Sequence, residues 1–310
     1  MGFHITKKLQ EQICLLAQSQ VFEDSEELLM STMGIDVSAK QIQRVSQRYG
    51  QVIEEVQQIQ IEEESAFKKP KDSKLAYLMF DGSMIFTREE GWKEIKVGRI
   101  FHADDVVKIQ KNRSHITDSL YVCHVGDHIG FFNKLEHYIE PYNHLICVAD
   151  GAKWIWNFIS DKYPDTIQIL DFYHAMEKLE AYAKLQYADT EKETWVRSQK
   201  QLLLSDQVAV VIENIESQIP KNKEALKAKE QLVGYYQNNQ SRMLYGTYKM
   251  KGYIIGSGAI ESAHRNVVQQ RLKLSGQRWN IKGAQEIVNL RAYKKGNRWN
   301  ELVDFIKNAA

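Results

Sequence analysis

The order of short apolar runs between residues 75 and 170 constrains the fold of this chain more than any other feature. Five runs predict β-strands and two amphipathic segments between them predict helices: strands at 75–80, 92–101, 120–125, 145–149 and 166–170, helices at 127–139 and 152–162. Three consecutive strands are typical of an antiparallel meander, and the alternation that follows adds parallel strands at its edge. The sequence therefore predicts an α/β fold with a mixed sheet flanked by helices.

Helical periodicity dominates on both sides of this region. Helices are predicted at 5–18, 24–33, from Ala39 onwards and at 49–66, before Lys68-Lys69-Pro70-Lys71 breaks the pattern. This division predicts four parts: an N-terminal helical domain (1–72), the first part of the core (73–172), an all-helical insertion (173–250) and C-terminal core helices carrying Glu261 (251–310).

A possible DNA-reading motif lies near the start of the chain. The segment from Gly34 to Val45 resembles the turn and second helix of a helix-turn-helix, with Lys40, Gln41 and Arg44 available to a DNA groove. A plain helical hairpin is the alternative interpretation of the same pattern.

Three aspartates directly follow predicted strands. Asp81, Asp150 and Asp171 each end an apolar run, where a carboxylate points into solvent at a sheet edge. An aspartate in this position is often only a turn former or a helix N-cap. Three of them in a chain with few other strands favour one acidic site.

A glycine-rich motif after the helical segment supplies a further acid. Gly256-Ser257-Gly258 permits a sharp turn into a helix that carries Glu261 in its first turn. Helical spacing predicts that Arg265, Gln269 and Leu272 or Lys273 share the face of Glu261.

Carboxylates that converge from different elements are the ligands that hard divalent cations prefer. We expect Asp81 and Asp150 to form the core of a metal site, with Glu261 completing it. Two Mg²⁺ ions held in this way, with Mn²⁺ as the expected substitute, can activate an attacking hydroxyl and stabilise the leaving oxygen of a phosphodiester.

The charge distribution favours a polyanionic partner for the C-terminal part. The whole chain has a formal net charge of +1, but residues 241–310 contain thirteen Lys and Arg against four Asp and Glu. Six tyrosines and tryptophans lie among these charges, an interleaving that suits nucleic acid better than a solvated helix face: Tyr245, Tyr248, Tyr253, Trp279, Tyr293 and Trp299.

No apolar run approaches the roughly 18 to 20 residues that span a bilayer, and the first residues do not form a signal peptide. The three cysteines, Cys14, Cys123 and Cys147, are far apart and are expected to be reduced core residues. These features predict a cytoplasmic protein with no membrane partner.

Five motifs in order resemble the bacterial insertion-sequence DDE transposases of the Mutator-like branch, in particular the Kra type. The resemblance covers about residues 75 to 300. It implies a ribonuclease-H-like core in which Asp81, Asp150 and Glu261 are the catalytic metal ligands. The motifs are Asp81-Gly82 with Gly91–Gly98, Val148-Ala149-Asp150-Gly151-Ala152, Asp171-Phe172-Tyr173-His174, and Gly256-Ser257-Gly258-Ala259-Ile260-Glu261-Ser262.

The resemblance implies cleavage of double-stranded DNA at transposon ends and joining of the freed 3′-hydroxyl to target DNA. It further implies a nucleoid-associated homodimer or higher oligomer on DNA. Asp171 and His174 would support the metal ligands or contact DNA, although packing at a helix start is an alternative for His174. The implied phosphate contacts are Arg265, Arg271, Lys273 and Arg278, and Trp279 would stack on a base or pack the last helices.

Other classes of protein remain open at this point. One is a non-catalytic DNA-binding protein, such as a truncated or domesticated transposase, because the family is usually longer at its N-terminus and more basic in total. Another is a metal-dependent nuclease of the same fold that never joins strands. A third is a helical scaffold whose carboxylates are only turn formers.

Overall fold

A computed structural model describes residues 5–64, 72–110 and 113–309 of the chain. Five of the strands in these residues form one mixed sheet. The strands are β1 (Asp72–Thr87), β2 (Gly91–His102), β3 (Val106–Gln110), β4 (Arg113–Ile116), β5 (Leu120–Val125), β6 (Tyr142–Ala149) and β7 (Ile167–Leu170). The sheet has the order β5-β2-β1-β6-β7. The pairs β1–β2 and β2–β5 are antiparallel, whereas β6–β7 is parallel. The prediction of an α/β fold with a mixed, helix-flanked sheet is confirmed.

Helices make up most of the remaining described chain, and none of them is long and apolar enough to cross a bilayer. Most predicted helices are confirmed with ends shifted by one or two residues. The helices are α1 (Lys7–Ala17), α2 (Phe22–Met33), α3 (Ala39–Glu64), α4 (His128–Ile139), α5 (Lys153–Lys162), α6 (Phe172–Gln186), α7 (Asp189–Leu203), α8 (Val208–Glu216), α9 (Lys223–Asn239), α10 (Tyr245–Met250), α11 (Gly258–Ala263), α12 (Gln270–Leu272), α13 (Ile281–Lys295) and α14 (Trp299–Asn308).

The chain divides into two compact units. The first unit contains Met1–His144 and Ala259–Ala310, so the N-terminal helices share a unit with the β1–β2–β5 part of the sheet. The second unit is Leu145–Gly258. The predicted break at Lys68–Lys71 lies outside the described residues.

In the first unit, α13 packs against both α3 and β5, and α1 and α2 pack on α3. Helices α3 and α13 cross closely: Asn289 Nδ2 of α13 donates a hydrogen bond to the Gly50 carbonyl of α3 at 3.1 Å. The Gln285 side chain joins α13 to the outer strand, accepting from Val125 N and donating to the Cys123 carbonyl. Polar side chains of α13 thereby satisfy backbone groups of β5 that no neighbouring strand pairs.

The predicted helix-turn-helix segment begins where α2 ends at Gly34, a glycine in the left-handed conformation with φ of 64°. The chain then enters α3 at Ala39, whose N–H donates to Glu26 Oε2 at 2.6 Å. Lys40 and Arg44 are exposed on α3. This geometry is compatible with both a helix-turn-helix and a plain hairpin.

The prediction that Asp81 ends a strand was wrong. Strand β1 continues to Thr87, and Asp81 pairs with Val97 in the middle of the β1–β2 ladder. The hairpin turns only between Thr87 and Gly91, where Gly91 has a φ of 71°. Because β2 pairs with every residue up to this turn, Asp81-Gly82 stays extended instead of forming the turn that this dipeptide commonly makes.

A small antiparallel hairpin, β3–β4, was not predicted. Its residues are mostly exposed and its sequence, with Lys108, Gln110 and Ser114, lacks a continuous apolar run. A strand that buries little apolar surface leaves a weak signal in the sequence.

In the second unit, helices α6 to α9 pack successively, α6 on α7, α7 on α8, α8 on α9, and α9 back on α6. Buried Tyr236 of α9 donates to the Ala175 carbonyl of α6 at 2.8 Å. Asp206, with a φ of 60°, accepts hydrogen bonds from Gly246 N and from Thr247 N and Oγ1. Helices α6 to α10 cover most of residues 172–250.

Interior packing accounts for most of the aromatic residues in the C-terminal region. Tyr245, Tyr248, Trp279 and Tyr293 are buried and are therefore unavailable as stacking platforms for bases. The prediction that Cys14, Cys123 and Cys147 are core residues is confirmed, because all three are buried free thiols.

Candidate functional site

Asp150 directly follows β6, as predicted, and its half-buried carboxylate closes the turn into α5. Its Oδ1 accepts from Ala152 N at 2.9 Å. The intervening residue has no space for a side chain, because a Cβ on Gly151 would overlap the Tyr235 ring. The ring therefore lies directly against this turn. The negative charges of Asp150 and Asp171 add to burial in raising the pKa of Tyr235.

Asp171 lies beside Asp150 at the same end of the parallel pair. Ala149 pairs with Leu170 in the β6–β7 ladder, so the residues that follow them leave the sheet together. Asp171 N donates to the Ala149 carbonyl at 2.8 Å. The carboxyl ends of parallel strands are where α/β proteins bind ligands.

The Asp171 carboxylate is fully buried and hydrogen-bonded by groups from α6 and from the Gly256-Ser257 turn. Oδ1 accepts from Tyr173 N at 2.8 Å, which caps α6. Oδ2 lies 2.6 Å from His174 Nδ1. Ser257 also hydrogen-bonds the carboxylate. Burial alone would raise the pKa of Asp171, but the bonds from His174, Ser257 and Tyr173 outweigh burial and lower it.

His174 is therefore a cation at neutral pH. The hydrogen bond that His174 donates to Asp171 raises the pKa of His174 to about 9, with further contributions from the charges of Asp171, Glu177 and Asp150. Asp150 is thus close enough to His174 for their charges to interact. The sequence left His174 open between a functional group and helix-start packing, and the structure places it in the first turn of α6, paired with the N-cap residue Asp171.

We expect the His174 imidazole to titrate with a midpoint near pH 9 in the folded protein. The pKa in the fold lies above the unfolded value of 6.5, so the pair's full contribution to stability is present below pH 6.5 and is lost as pH rises through about 9. Histidine ring-proton NMR shifts would follow this titration. Asp171→Asn should move the midpoint back towards 6.5; a wild-type midpoint already near 6.5 would contradict the ion pair.

The turn that precedes Glu261 is anchored to this cluster. Phe172 N donates to the Ile255 carbonyl at 2.9 Å, and a Cβ on Gly256 would overlap the Tyr173 ring. The sequence identified this glycine motif but missed Ser257 as a partner of Asp171. It also missed Tyr235, since a tyrosine inside a predicted helix carries no signal of proximity to Asp150.

In the first unit, Asp81 lies close to His264, which the sequence did not predict to be a site residue. His264 Nε2 is 3.7 Å from Asp81 Oδ2. His264 is 3% exposed, and burial lowers its pKa while the charge of Asp81 opposes this effect. Glu94 packs over Gly82 and pairs with Lys96. Asp81 therefore lies in a charged neighbourhood within its own unit.

Glu261 is exposed in the first turn of α11, as predicted. The helix then passes through a π-helical segment, His264–Gln269, before α12. The wider π-turn shifts the register that a regular α-helix would keep, and Glu261, Arg265 and Gln269 are all exposed. Such insertions occur frequently at functional sites.

The predicted phosphate-contacting residues fall into two groups. Arg265, Lys273 and Arg278 are exposed, as are Lys40 and Arg44. Arg271 and Trp279 are buried, and Trp279 donates from Nε1 to the Leu272 carbonyl at 3.2 Å. Trp279 thus follows the packing alternative.

No group of three or more His, Cys, Asp or Glu side chains arranged to hold a metal ion occurs in residues 5–64, 72–110 and 113–309. Asp81 and Glu261 belong to the first unit, whereas Asp150, Asp171 and His174 belong to the second. The pair that the structure places side by side is Asp150 and Asp171.

Comparisons with known proteins identify no family for this chain. No family model matches it, and no curated protein matches it either.

Proposed function

We propose that this chain is a DDE transposase with a ribonuclease-H-like core, which cleaves DNA at transposon ends and joins the 3′-hydroxyl to target DNA. The observation that carries the proposal is the aspartate pair after the parallel strands, Asp150 and Asp171, with the His174 cation beside it. A carboxylate next to a fixed cation suits a reaction at a phosphodiester, where a metal ion and a phosphate must be held together.

The strand order gives further support. The order β5-β2-β1-β6-β7, antiparallel across the first three strands and parallel in the last two, agrees with the core that the resemblance implies. Asp81 lies on β1, Asp150 follows β6, and Glu261 lies in the first turn of α11, after a long helical segment. This is the chain order of acids that the proposal requires.

The donor chemistry fits Mg²⁺, because the proposed ligands Asp81, Asp150 and Glu261 all offer carboxylate oxygens. Asp150 is half-buried, and only its Oδ1 takes part in a hydrogen bond within the described residues. Two such ions would supply an activated hydroxyl and stabilise the leaving oxygen.

The chain's own side chains have separate roles in this proposal. Asp171 holds His174 in one orientation and keeps it protonated, so that the imidazolium can neutralise a phosphate oxygen beside Asp150. Tyr235 covers Gly151 and limits water at this turn. The exposed basic residues Arg265, Lys273 and Arg278 would contact the DNA backbone.

The direct test is incubation of the protein with the ends of its own encoding element, Mg²⁺ or Mn²⁺, and a target plasmid. Nicked ends and strand-transfer products are expected. Cleavage without joining would indicate a nuclease of the same fold. Binding without cleavage would indicate a non-catalytic DNA-binding protein and would overturn the proposal.

A further inference from the structure

A cavity of about 410 Å³ lies in the first unit, and Asp81, Glu94 and Glu261 are not among its lining residues. It is bordered by α2, α3, the β1–β2 turn and the segment between α12 and α13. Its polar lining includes Arg88, Arg271, Arg278, Gln43, Gln47 and Glu23. The volume lies within the range of about 300–1,000 Å³ that is typical of small-molecule sites.

The Arg271 side chain is the unusual component of this lining, because it is 1% exposed and still has an unused donor. Its Nε donates to the Ala17 carbonyl at 3.0 Å. Nη1 lies 3.0 Å from the Gln277 amide oxygen when that amide is oriented to donate to the Arg271 carbonyl. Nη2 has no hydrogen-bond partner in the part of the chain that the structure describes.

Packing holds the guanidinium in one place. Its central carbon lies 4.9 Å from the ring centroids of both Phe22 and Trp279. Burial, aided by the charge of Arg291, lowers the pKa of Arg271 to about 10, which still leaves it cationic at neutral pH. A buried guanidinium with an unused donor is costly unless an acceptor completes its hydrogen bonds, and an anion would also pair its charge.

The net charge of the residues that line the cavity indicates which anions it would bind best. Three arginines and one glutamate give the cavity a net charge of +2, and Arg88 and Arg278 are exposed at its border. A phosphate monoester carries about −1.5 to −2 at pH 7. An internal DNA phosphate carries a single charge and is attached on both sides, so a terminal phosphate matches the cavity better. Arginine is also the side chain best suited to bidentate phosphate contacts.

We propose that this cavity binds a terminal phosphate monoester, with Arg271 at its base and Arg88 and Arg278 at its border. Two sources carry this chemistry, a free nucleoside 5′-monophosphate and the 5′-phosphorylated end of a DNA strand. The inference does not depend on the proposed cleavage activity, because binding at this cavity is measured without cleavage.

The test uses the full-length protein in four calorimetric titrations, arranged as two pairs of ligands. AMP is compared with adenosine, and a short 5′-phosphorylated single strand is compared with the same strand bearing a 5′-hydroxyl. We expect the phosphorylated member of at least one pair to bind about tenfold more tightly or better. Binding of AMP would identify a small-molecule site, and a preference confined to the oligonucleotide would identify a strand-end site.

The variants Arg88→Gln and Arg278→Gln each remove an exposed charge without disturbing the core, and each should reduce the phosphate preference about tenfold. Arg271→Lys, which keeps the charge but loses the planar fork, should reduce it as well if the variant folds. Arg197→Gln on α7 is the matched control and should keep the preference. Equal binding of phosphorylated and unphosphorylated ligands in both pairs, or an equal loss in Arg197→Gln, would overturn the proposal.

Discussion

Replacement of Asp150 by asparagine is expected to reduce DNA cleavage by at least about a thousandfold while leaving DNA binding intact. A catalytic metal ion contributes several kcal/mol to stabilisation of the transition state, and each factor of ten in rate corresponds to about 1.4 kcal/mol. Asparagine removes the charge but keeps an oxygen that can accept from Ala152 N, the bond that closes the turn into α5. The fold should therefore persist, and the loss should appear in a nicking assay.

The matched control is Asp161→Asn, which neutralises an exposed carboxylate on α5 in the same unit. This variant should cleave at the wild-type rate. The proposal also expects Asp81→Asn and Glu261→Gln to abolish cleavage. Wild-type cleavage by Asp150→Asn would exclude Asp150 as a metal ligand, whereas unfolding of this variant would assign it a structural role at the turn.

Replacement of Gly50 by alanine is expected to destabilise the first unit by about 2 kcal/mol. A Cβ at Gly50 would overlap the backbone of Glu286 on α13, and a backbone cannot move aside as a flexible side chain can. Overpacking of this kind costs about 1–3 kcal/mol and occasionally more, against a gain of about 1 kcal/mol from the better helix propensity of alanine. Denaturant unfolding would measure the net loss.

The matched control is Gly234→Ala in the interior of α9, where a Cβ would meet no atom within 4 Å. Only the propensity gain applies there, so stability should stay equal or rise by up to about 1 kcal/mol. If Gly50→Ala and Gly234→Ala changed the free energy of unfolding by the same amount, the close α3–α13 crossing would not exist in solution.

Local patterns were sufficient for the elements that depend on neighbouring residues. The apolar runs before Asp150 and Asp171 identified two strand ends, because the periodicity of side chains and the turn that follows are both encoded within a few residues. The i,i+3 spacing of Asp171 and His174 was likewise visible, and their ion pair follows from one helical turn.

Pairing between strands and contacts between separate elements determined the features that the local sequence patterns did not predict. Asp81 lies inside β1 because the other strand of the hairpin, β2, pairs with it up to the turn at Gly91, and the apolar runs do not show how far this pairing extends. His264 approaches Asp81, and Ser257 approaches Asp171, through contacts between residues far apart in sequence. The sequence pattern gives no information on the spatial distance between such residues, so it does not predict that they are in contact.

The three aspartates that follow apolar runs therefore occupy different positions in the sheet: Asp150 and Asp171 follow strands, whereas Asp81 lies within one. By itself, the sequence determined the α/β class, the strand-end positions of Asp150 and Asp171, and the helical character of the segment before Glu261, because these follow from local periodicity and turn chemistry. Only the tertiary structure decided that Asp81 is a mid-strand residue and that Arg271 is buried between two aromatic rings. Burial depends on which surfaces meet, and that is settled by the packing of the whole unit.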